Sequence, residues 1–379
     1  MLLRSLAAIA ALTLAAAAPA SAAGKLDAVL ASAMAGSKVP AVGAVILRDG
    51  KVSELAVRGK RRSDARDLVN ANDVWLIGST GKVMTVALIA RLVEQHELDW
   101  ETPLEKLLPE LAESMHPDYR KVTLVQLLSH QSGLPRDLKD AAALDPYFVD
   151  TRPTSEQRLE LIAKALQDAP ERAAESPFNY SNTGFLVAAA IAERVTGSSY
   201  EALMEKEVFA PLGMQHVGFG NTGAGQNRGH AKGKPTLIMR GNDDGAPNMY
   251  APAGFLHMPL AAWARFNLDQ LAGAKGQGKL LSQASYQLMQ TAQPGSPAGL
   301  DWGVQPTIAG RQGPALVHQG SDGNWLAIVA LFPERGTGAL VVANAADDMG
   351  ADQVLHKVFV KLFPTLSPAA GAAAAPKKH

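Results

Sequence analysis

The amino-acid sequence contains no cysteine among its 379 residues. This absence excludes disulfide bridges, cysteine nucleophiles, thiolate metal sites and a lipid anchor on an N-terminal cysteine. The chain also lacks a net charge, because 36 acidic residues balance 36 basic residues. No long-range electrostatic field therefore indicates nucleic acid or a membrane surface as a partner.

The first 22 residues carry the pattern of a secretory signal peptide. A positive charge at Arg4 comes first, an apolar Ala- and Leu-rich stretch follows, and a small-x-small site ends the segment at Ala20-Ser21-Ala22. We expect cleavage near Ala22 and an exported protein, either periplasmic or secreted. A transmembrane anchor is the alternative, but the apolar stretch is short, and no later segment reaches the roughly 20 apolar residues that a membrane span needs.

Strand patterns occur near both ends of the chain, and helical patterns lie between them. Residues 41–59 are typical of a β-hairpin with Asp49-Gly50 at its turn. Further strands are predicted near the C-terminus at 316–320, 324–332 and 338–344. Apolar residues recur at helical spacing in five segments: 80–95, 154–168, 184–196, 200–208 and about 349–363.

This order of elements predicts an α/β fold of the α+β type. One antiparallel sheet would be built from both chain ends, covered by the first and last helices, with a mostly helical lobe inserted. We expect a single folded domain over residues 23–366, with an α/β lobe at about 23–100 and 300–366 and a helical lobe at about 100–300. The low-complexity tail, residues 367–379, is expected to be disordered.

The segment Ser79-Thr80-Gly81-Lys82 is the only Ser-x-x-Lys in the sequence. It stands where a β-like run meets a long helical pattern, and a separation of three residues on a helix places both side chains on one face. An ammonium beside a serine hydroxyl can hold that serine ready as a nucleophile. Ser79 could instead be an ordinary helix N-cap, and Lys82 a surface lysine, although Lys82 lies among apolar residues.

Two more motifs follow in order, Tyr180-Ser181-Asn182 and His318-Gln319-Gly320. With this ordered set the chain resembles the serine β-lactamase and penicillin-binding-protein superfamily. It is most similar to the class C β-lactamase-like branch, which has DD-peptidase, D-aminopeptidase and esterase relatives. Four flanking segments extend the resemblance over nearly the whole chain after the signal peptide: 123–135, 179–185, 211–214 and 251–255.

The resemblance implies catalytic roles for three residues. Ser79 would attack a carbonyl carbon and form an acyl-enzyme. Lys82 would lower the proton affinity of its neighbours, and Tyr180 would shuttle protons, as a phenolate or through Lys82. Which group is the general base stays open at this point, and Tyr180 could also be a core aromatic residue.

The remaining motif residues would bind substrate. By the same resemblance, Asn182 would hydrogen-bond a substrate amide, although it could be only a turn residue. His318, Gln319 and Gly320 would form the opposite wall of the cleft, where a glycine lets substrate approach the backbone. The oxyanion hole would consist of the backbone N–H groups of Ser321 and of the nucleophile.

The third motif departs from the family pattern, in which a lysine usually stands where this chain has His318. A lysine is a permanent cation that helps to hold a substrate carboxylate, whereas an unperturbed imidazole, with a pKa of about 6.5, is mostly neutral at pH 7. Anchoring of a carboxylate is therefore expected to be weaker or pH-dependent, strengthening toward pH 6. The segment at His130 is expected to be structural. His216-Val-Gly has the same form as the third motif but lacks its strand and glycine-rich flanks.

These observations predict an exported serine acyl hydrolase that acts on an amide or ester, with a small molecule or peptide as substrate. D-Amino-acid peptides and β-lactam-like compounds are the expected classes. A carboxylesterase of the same fold and a non-catalytic relative that binds peptides or cell-wall fragments are the alternatives. No metal or cofactor is expected, because the zinc and phosphate-loop patterns are absent from the sequence. The Gly-x-Ser-x-Gly pattern of α/β-hydrolases is absent as well. The balanced charge and the short apolar segments predict neither nucleic acid nor a stable membrane anchor. The oligomeric state is not indicated.

Overall fold

The computed structural model describes residues 24–138, 141–172, 178–223, 225–236, 247–308 and 311–367. The predicted signal peptide and nearly all of the predicted tail lie outside these residues. The strands are β1 (Ala41–Arg48), β2 (Lys51–Gly59), β3 (Val74–Leu76), β4 (Gly218–Phe219), β5 (His230–Ala231), β6 (Lys234–Pro235), β7 (Leu256–Pro259), β8 (Gly303–Ile308), β9 (Arg311–Ser321), β10 (Leu326–Phe332) and β11 (Thr337–Ala343).

The helices are α1 (Lys25–Met34), α2 (Lys82–Glu94), α3 (Leu104–Leu107), α4 (Leu124–Leu128), α5 (Thr154–Ala165), α6 (Thr183–Thr196), α7 (Tyr200–Met204), α8 (Ala210–Leu212), α9 (Leu260–Gly273), α10 (Gln283–Gln290) and α11 (Ala351–Leu366). Short 3₁₀ turns connect several of them, including Gly78–Gly81 and Asn248–Ala253. Over the described ranges, no helix is both long and apolar enough to cross a membrane.

The central sheet joins the two ends of the chain. Its order is β2-β1-β11-β10-β9-β8, and each neighbouring pair is antiparallel. Val42 of β1 pairs with Ala343 of β11, so the first hairpin is completed by strands from the C-terminal part of the sequence. The predicted fold class, an antiparallel sheet built from both chain ends and flanked by helices, is confirmed.

The first hairpin forms where the sequence predicts it. Asp49 and Gly50 both have positive φ, 51° and 71°, as a two-residue type I′ turn requires. β1 is buried on both faces, because helices cover each side of the sheet. Val42, Ala44 and Ile46 belong to the apolar cluster that β1 shares with α1 and α11, while the alternate residues face the main core with α2 and α9.

Helix α2 is the helix on which the first motif depends. It is buried from Lys82 to Ala90 and packs against α6 and the turn Asn248–Ala253. The predicted helix over 80–95 is therefore present, but its first turn is the 3₁₀ segment Gly78–Gly81 rather than regular α-helix.

Several elements had no clear sequence signal. No pattern in the sequence indicated α1, a short amphipathic helix that buries Leu26, Leu30 and Ala33. The edge strand β8 was not predicted either, because it is half-exposed and lacks the apolar alternation that marks a strand. The small sheet β3-β7-β4 joins the β-like run that precedes Ser79 to two short strands, β4 and β7, from the region that was expected to be helices and loops.

Candidate active site

The turn that carries Ser79 lies directly against strand β9. A Cβ atom on Gly320 would come within 2.5 Å of the Ser79 nitrogen and 2.6 Å of the Ile77 oxygen. Gly78 has a φ of 54°, and a Cβ atom there would lie 2.6 Å from the Ser321 nitrogen. These two glycines permit a backbone approach that no other residue allows. The backbone amides of Ser79 and Ser321 are thereby brought close to each other, as an oxyanion hole would need.

Lys82 lies one turn after the serine, with its side chain fully buried. Its Nζ donates hydrogen bonds to Oγ of Ser79 at 3.0 Å and to the backbone oxygen of Ala253. Burial lowers the pKa of the Lys82 amine to about 7, although the charges of Asp301 and Asp137 oppose this shift. A large share of the amine is therefore neutral near pH 7 and can accept the serine proton.

Tyr180 lies on the other side of the lysine amine. Nζ of Lys82 is 5.1 Å from the centre of the Tyr180 ring, and the Arg136 guanidinium carbon is 5.0 Å from it. Burial, followed by the charge of Asp301, raises the pKa of the Tyr180 phenol well above its ordinary value, and a hydrogen bond with Ser79 opposes this shift only in part. The phenol therefore keeps its proton at neutral pH and is suited to donate it.

Asn182 and the nucleophile open into one cavity of about 450 Å³. The Asn182 amide donates a hydrogen bond from Nδ2 to Oδ1 of Asp137 at 2.9 Å, and its backbone N–H donates to the Arg136 oxygen at 2.8 Å. Arg136 and Asp137 also line this cavity. Sequence reasoning did not identify these two residues, because they belong to no motif and reach the site only through the packing of their loop.

Asp322 is a second acidic residue at the same cavity, next to Ser321. Its Oδ1 accepts backbone hydrogen bonds from Asn324 at 2.9 Å and Trp325 at 2.8 Å. Burial raises the pKa of Asp322 to about 6, against the effect of these hydrogen bonds. The turn that follows β9 is thus stabilised by a carboxyl group that faces the cavity.

The third motif lies on β9, as predicted. Gln319 is exposed, whereas only 7% of the His318 side chain is accessible. His318 and Gln319 line a second cavity of about 320 Å³ together with His130, Tyr180 and Asp301. His216 lies elsewhere, in a cavity with Gln215 and Arg265.

The structure thus brings the three sequence motifs together around Ser79. It also adds Asp301, which sequence reasoning did not identify. Its Oδ1 lies 3.0 Å from Nε2 of His130, and its Oδ2 lies 2.9 Å from Nε2 of His318. One signal was available in the sequence, because Asp301 stands between the apolar residues Leu300 and Trp302, and an acid among apolar neighbours indicates a buried, paired carboxylate.

The fold and this arrangement are those of a serine acyl-transfer protein. The Beta-lactamase family model matches residues 26–358, and the chain belongs to that family. The suspected kinship with serine β-lactamases and penicillin-binding proteins is confirmed, and serine hydrolase or acyltransferase activity is the class that the family and its relatives indicate.

Two curated relatives match most of the chain. The D-alanyl-D-alanine-carboxypeptidase/endopeptidase AmpH of Escherichia coli (strain K12) is 26% identical over 314 residues, which cover 79% of this chain and 78% of that protein. Penicillin-binding protein 4 of Amycolatopsis lactamdurans is 26% identical over 336 residues, which cover 81% of each chain.

Solved structures share the fold. The octameric penicillin-binding protein homologue from Pyrococcus abyssi superposes with a TM-score of 0.71 at 24% identity, covering 91% of this chain and 79% of that chain. A D-stereospecific amidohydrolase from Streptomyces sp. superposes with a TM-score of 0.68 at 21% identity, covering 88% and 98% of the two chains. At these identities the superpositions establish the fold alone.

Proposed function

We propose that this protein is a serine acyl hydrolase that cleaves D-amino-acid peptides, or related amides and esters, through an acyl-enzyme on Ser79. The observation that carries the proposal is the buried amine of Lys82, which lies 3.0 Å from Oγ of Ser79 and has a pKa of about 7. A structural lysine has no need of such a position, because burial of an ammonium group is costly. The placement is well suited to activating a serine.

The protons can be followed through both halves of the reaction. In acylation the neutral amine of Lys82 takes the hydroxyl proton as Oγ of Ser79 attacks the carbonyl carbon. The protonated phenol of Tyr180 donates to the departing group and recovers a proton from Lys82. In deacylation a water molecule attacks the acyl-enzyme, and the same two groups return the proton to Ser79. The backbone N–H groups at Ser79 and Ser321 would hold the oxyanion in each half.

The substrate class is supported by the relatives. The curated proteins include a D-alanyl-D-alanine-carboxypeptidase/endopeptidase and a penicillin-binding protein, both about a quarter identical to this chain. A β-lactam is a cyclic amide that resembles such a peptide, so it belongs to the same proposal. The first cavity, of about 450 Å³, has the size of a site for a small molecule or short peptide.

Intact-mass spectrometry tests this function directly. The mature protein is incubated briefly with a fluorescent penicillin, in parallel with Ser79→Ala and with Ser53→Ala, which changes an exposed serine on β2. We expect a penicilloyl adduct on the wild type and on Ser53→Ala, and none on Ser79→Ala. An adduct that persists favours a peptidase, and one that is rapidly lost favours a β-lactamase.

A second substrate separates the remaining possibilities. If no adduct forms but a short-chain p-nitrophenyl ester is hydrolysed in a manner that depends on Ser79, the protein is a carboxylesterase of this fold. If neither reagent reacts, or if turnover of either one survives in Ser79→Ala, the proposed mechanism is wrong.

We also propose that the protein is exported. The support is the charged, apolar and small-residue pattern of residues 1–22. Expression of the full-length chain in a bacterial host, followed by cell fractionation and N-terminal sequencing, tests this. The expected result is a mature N-terminus immediately after Ala22 in the periplasm or medium, and an uncleaved cytoplasmic chain would contradict it.

A further inference from the structure

Asn182 stands at the start of helix α6 but does not cap it. An asparagine at this position usually accepts a backbone N–H of the first turn through its side-chain oxygen, whereas the Asn182 side chain makes no such hydrogen bond. Oγ of Ser181 takes that role, because it accepts the Gly184 N–H at 3.0 Å. The side chain of Asn182 is therefore available for a purpose other than helix capping.

The loop that follows α4 holds the second motif through three consecutive residues. The Pro135 oxygen accepts a hydrogen bond from Oγ of Ser181 at 2.7 Å. The Arg136 oxygen accepts the Asn182 N–H at 2.8 Å, and Oδ1 of Asp137 accepts a hydrogen bond from Nδ2 of Asn182 at 2.9 Å. This loop thus fixes both the backbone and the side chain of Asn182.

The contact between Asp137 and Asn182 determines which way the amide points. A carboxylate can only accept hydrogen bonds, whereas a side-chain amide has an NH₂ donor on one side and an oxygen acceptor on the other. The NH₂ group of Asn182 must therefore face Asp137, since the opposite orientation would place two acceptors against each other. The second carboxylate oxygen, Oδ2, lies 3.6 Å from Nε of Arg136. The side-chain oxygen of Asn182 is thus the end of the amide that points away from Asp137.

The nucleophile shares a cavity with this amide. Ser79, Asp137 and Asn182 line the first cavity together with Ser321. An oxygen acceptor beside the nucleophile matches an N–H of the acyl donor. In a peptide, the residue whose carbonyl is attacked carries an N–H on the carbon next to that carbonyl, and a penicillin carries its acylamino N–H at the corresponding carbon. A simple carboxylic ester has no such donor.

We propose that Asp137 is a positioning residue, which turns the Asn182 oxygen toward the substrate and so selects acyl donors with an N–H beside the scissile carbonyl. This inference rests on the proposed function and narrows its substrate class. N-Acylated amino acids, peptides and penicillins are favoured over hydroxy-acid esters and simple carboxylic esters. Asp137 acts through Asn182 and does not touch the reacting atoms.

A matched pair of thioesters tests this selectivity. The acyl groups are N-acetyl-D-alanine and O-acetyl-D-lactic acid, which differ only in an N–H against an oxygen atom, and both have thioglycolic acid as the leaving group. Oγ of Ser79 attacks the thioester carbonyl, the carbon–sulfur bond breaks, and the departing sulfur takes a proton to leave as a thiol. Water then releases the acyl group as a carboxylic acid.

The readout is the ratio of kcat/KM for the two thioesters at neutral pH. A chromogenic thiol reagent reports turnover without interference, because the protein has no cysteine. The ratio is corrected for uncatalysed hydrolysis and for the intrinsic reactivity of the two thioesters, which is measured with hydroxide.

The variants are Asp137→Ala, Asp137→Asn, Asn182→Ala and the double alanine variant. The control is Asp352→Ala, at an exposed acid in the first turn of α11. We expect the wild type and the control to prefer the N-acetyl substrate by about tenfold, the size of effect that one hydrogen bond allows.

Each single alanine variant should abolish this preference, and the double variant should show no further change, because both substitutions act on one contact. Asp137→Asn should retain part of the preference. Its amide can donate as well as accept, so the Asn182 amide can adopt both orientations.

The outcomes separate the selectivity from the function on which it rests. A wild type without the preference, or an Asn182→Ala variant that keeps it, overturns the inference while the hydrolase stands. A merely structural role of Asp137 would lower both rates equally and leave their ratio unchanged, which also overturns it. If Asp137→Ala does not fold, an unchanged ratio in Asp137→Asn has the same meaning. If the wild type cleaves neither thioester, or if cleavage survives in Ser79→Ala, the proposed function fails and the inference fails with it.

Discussion

The ring of His130 stacks on the ring of Tyr180, with centroids 4.5 Å apart and an angle of 28° between the planes. Each residue in this pair belongs to a different part of the site, because Tyr180 stands in the second motif and His130 is hydrogen-bonded to Asp301 beside the third. His130 was expected to be a structural residue of the cleft floor. The structural role of His130 is therefore to connect the second motif, through its stacking on Tyr180, with Asp301 beside the third motif.

Replacement of His130 by phenylalanine keeps the ring and removes both nitrogens. The Ser181 N–H and Oδ1 of Asp301 would lose their partners, and a buried polar group without a partner costs about 1–3 kcal/mol. We expect the free energy of unfolding to fall by about 2 kcal/mol and the acylation rate to fall by about tenfold as Tyr180 loses its fixed orientation. Urea denaturation and penicillin acylation measure the two effects. His356→Phe, at an exposed position on α11, is the control, and equal behaviour of both variants would contradict the link.

The pH dependence of acylation follows from Lys82. Its pKa is lowered to about 7 by burial, so the amine is protonated below pH 7 and cannot accept a proton there. We expect kcat/KM for a neutral ester to rise through a midpoint near pH 7 and to level off above it. Lys82→Arg should reduce the rate by at least about 10³-fold at every pH, because a guanidinium remains protonated. A midpoint near the ordinary pKa of lysine would exclude Lys82 in the neutral form as the base.

Gly320→Ala should displace the backbone of the nucleophile, Ser79, without altering its side chain. The new Cβ atom would lie 2.5 Å from the Ser79 nitrogen, so either β9 or the turn must shift. A displacement of about 1 Å at a reacting group can cost about 10²-fold in rate, and we expect a loss of that size in kcat/KM. Gly24→Ala adds a Cβ atom 3.7 Å from its nearest neighbour, the carboxylate of Glu54, and should retain full activity. Comparable rates for the two variants would show that the close contact is dispensable.

A buried ion pair in the helical region predicts a large effect on stability. Arg158 of α5 is fully buried and donates a hydrogen bond to Glu193 of α6, whose Oε1 also accepts the Tyr200 N–H at 2.8 Å. Glu193→Ala leaves the buried guanidinium short of its main partner and should lower the free energy of unfolding by about 3 kcal/mol. Glu110→Ala breaks an exposed pair with Arg194 and should cost less than about 1 kcal/mol. Chemical denaturation measures the free energy of unfolding of both variants. A similar loss in the two variants would contradict the larger contribution expected of the buried pair.

The sequence predicts those parts of the site whose residues lie close together along the chain. Ser79 and Lys82 are three residues apart at the start of a helix, and the hairpin of β1 and β2 follows from local alternation and Asp49-Gly50. Asp301 could not be placed in this way, because it lies in a bend before β8, while His130 is 171 residues before it and His318 is on β9. The loop residues Arg136 and Asp137 reach the cavity through packing that no local pattern describes. The ordered motifs therefore indicated the chemistry, whereas the buried contacts of Asp301 with His130 and His318 depend on tertiary structure.

The pairing of β1 with β11 constrains the order in which the protein can fold. β1 lies near the start of the described chain and its partner near the end, so the middle of the sheet is missing until nearly the whole polypeptide has been made. Contacts of such large sequence separation form slowly, because the entropy cost of closing a long loop comes before the stabilising contacts form. A nascent chain therefore holds its first hairpin with one edge unpaired until the last strand has been made.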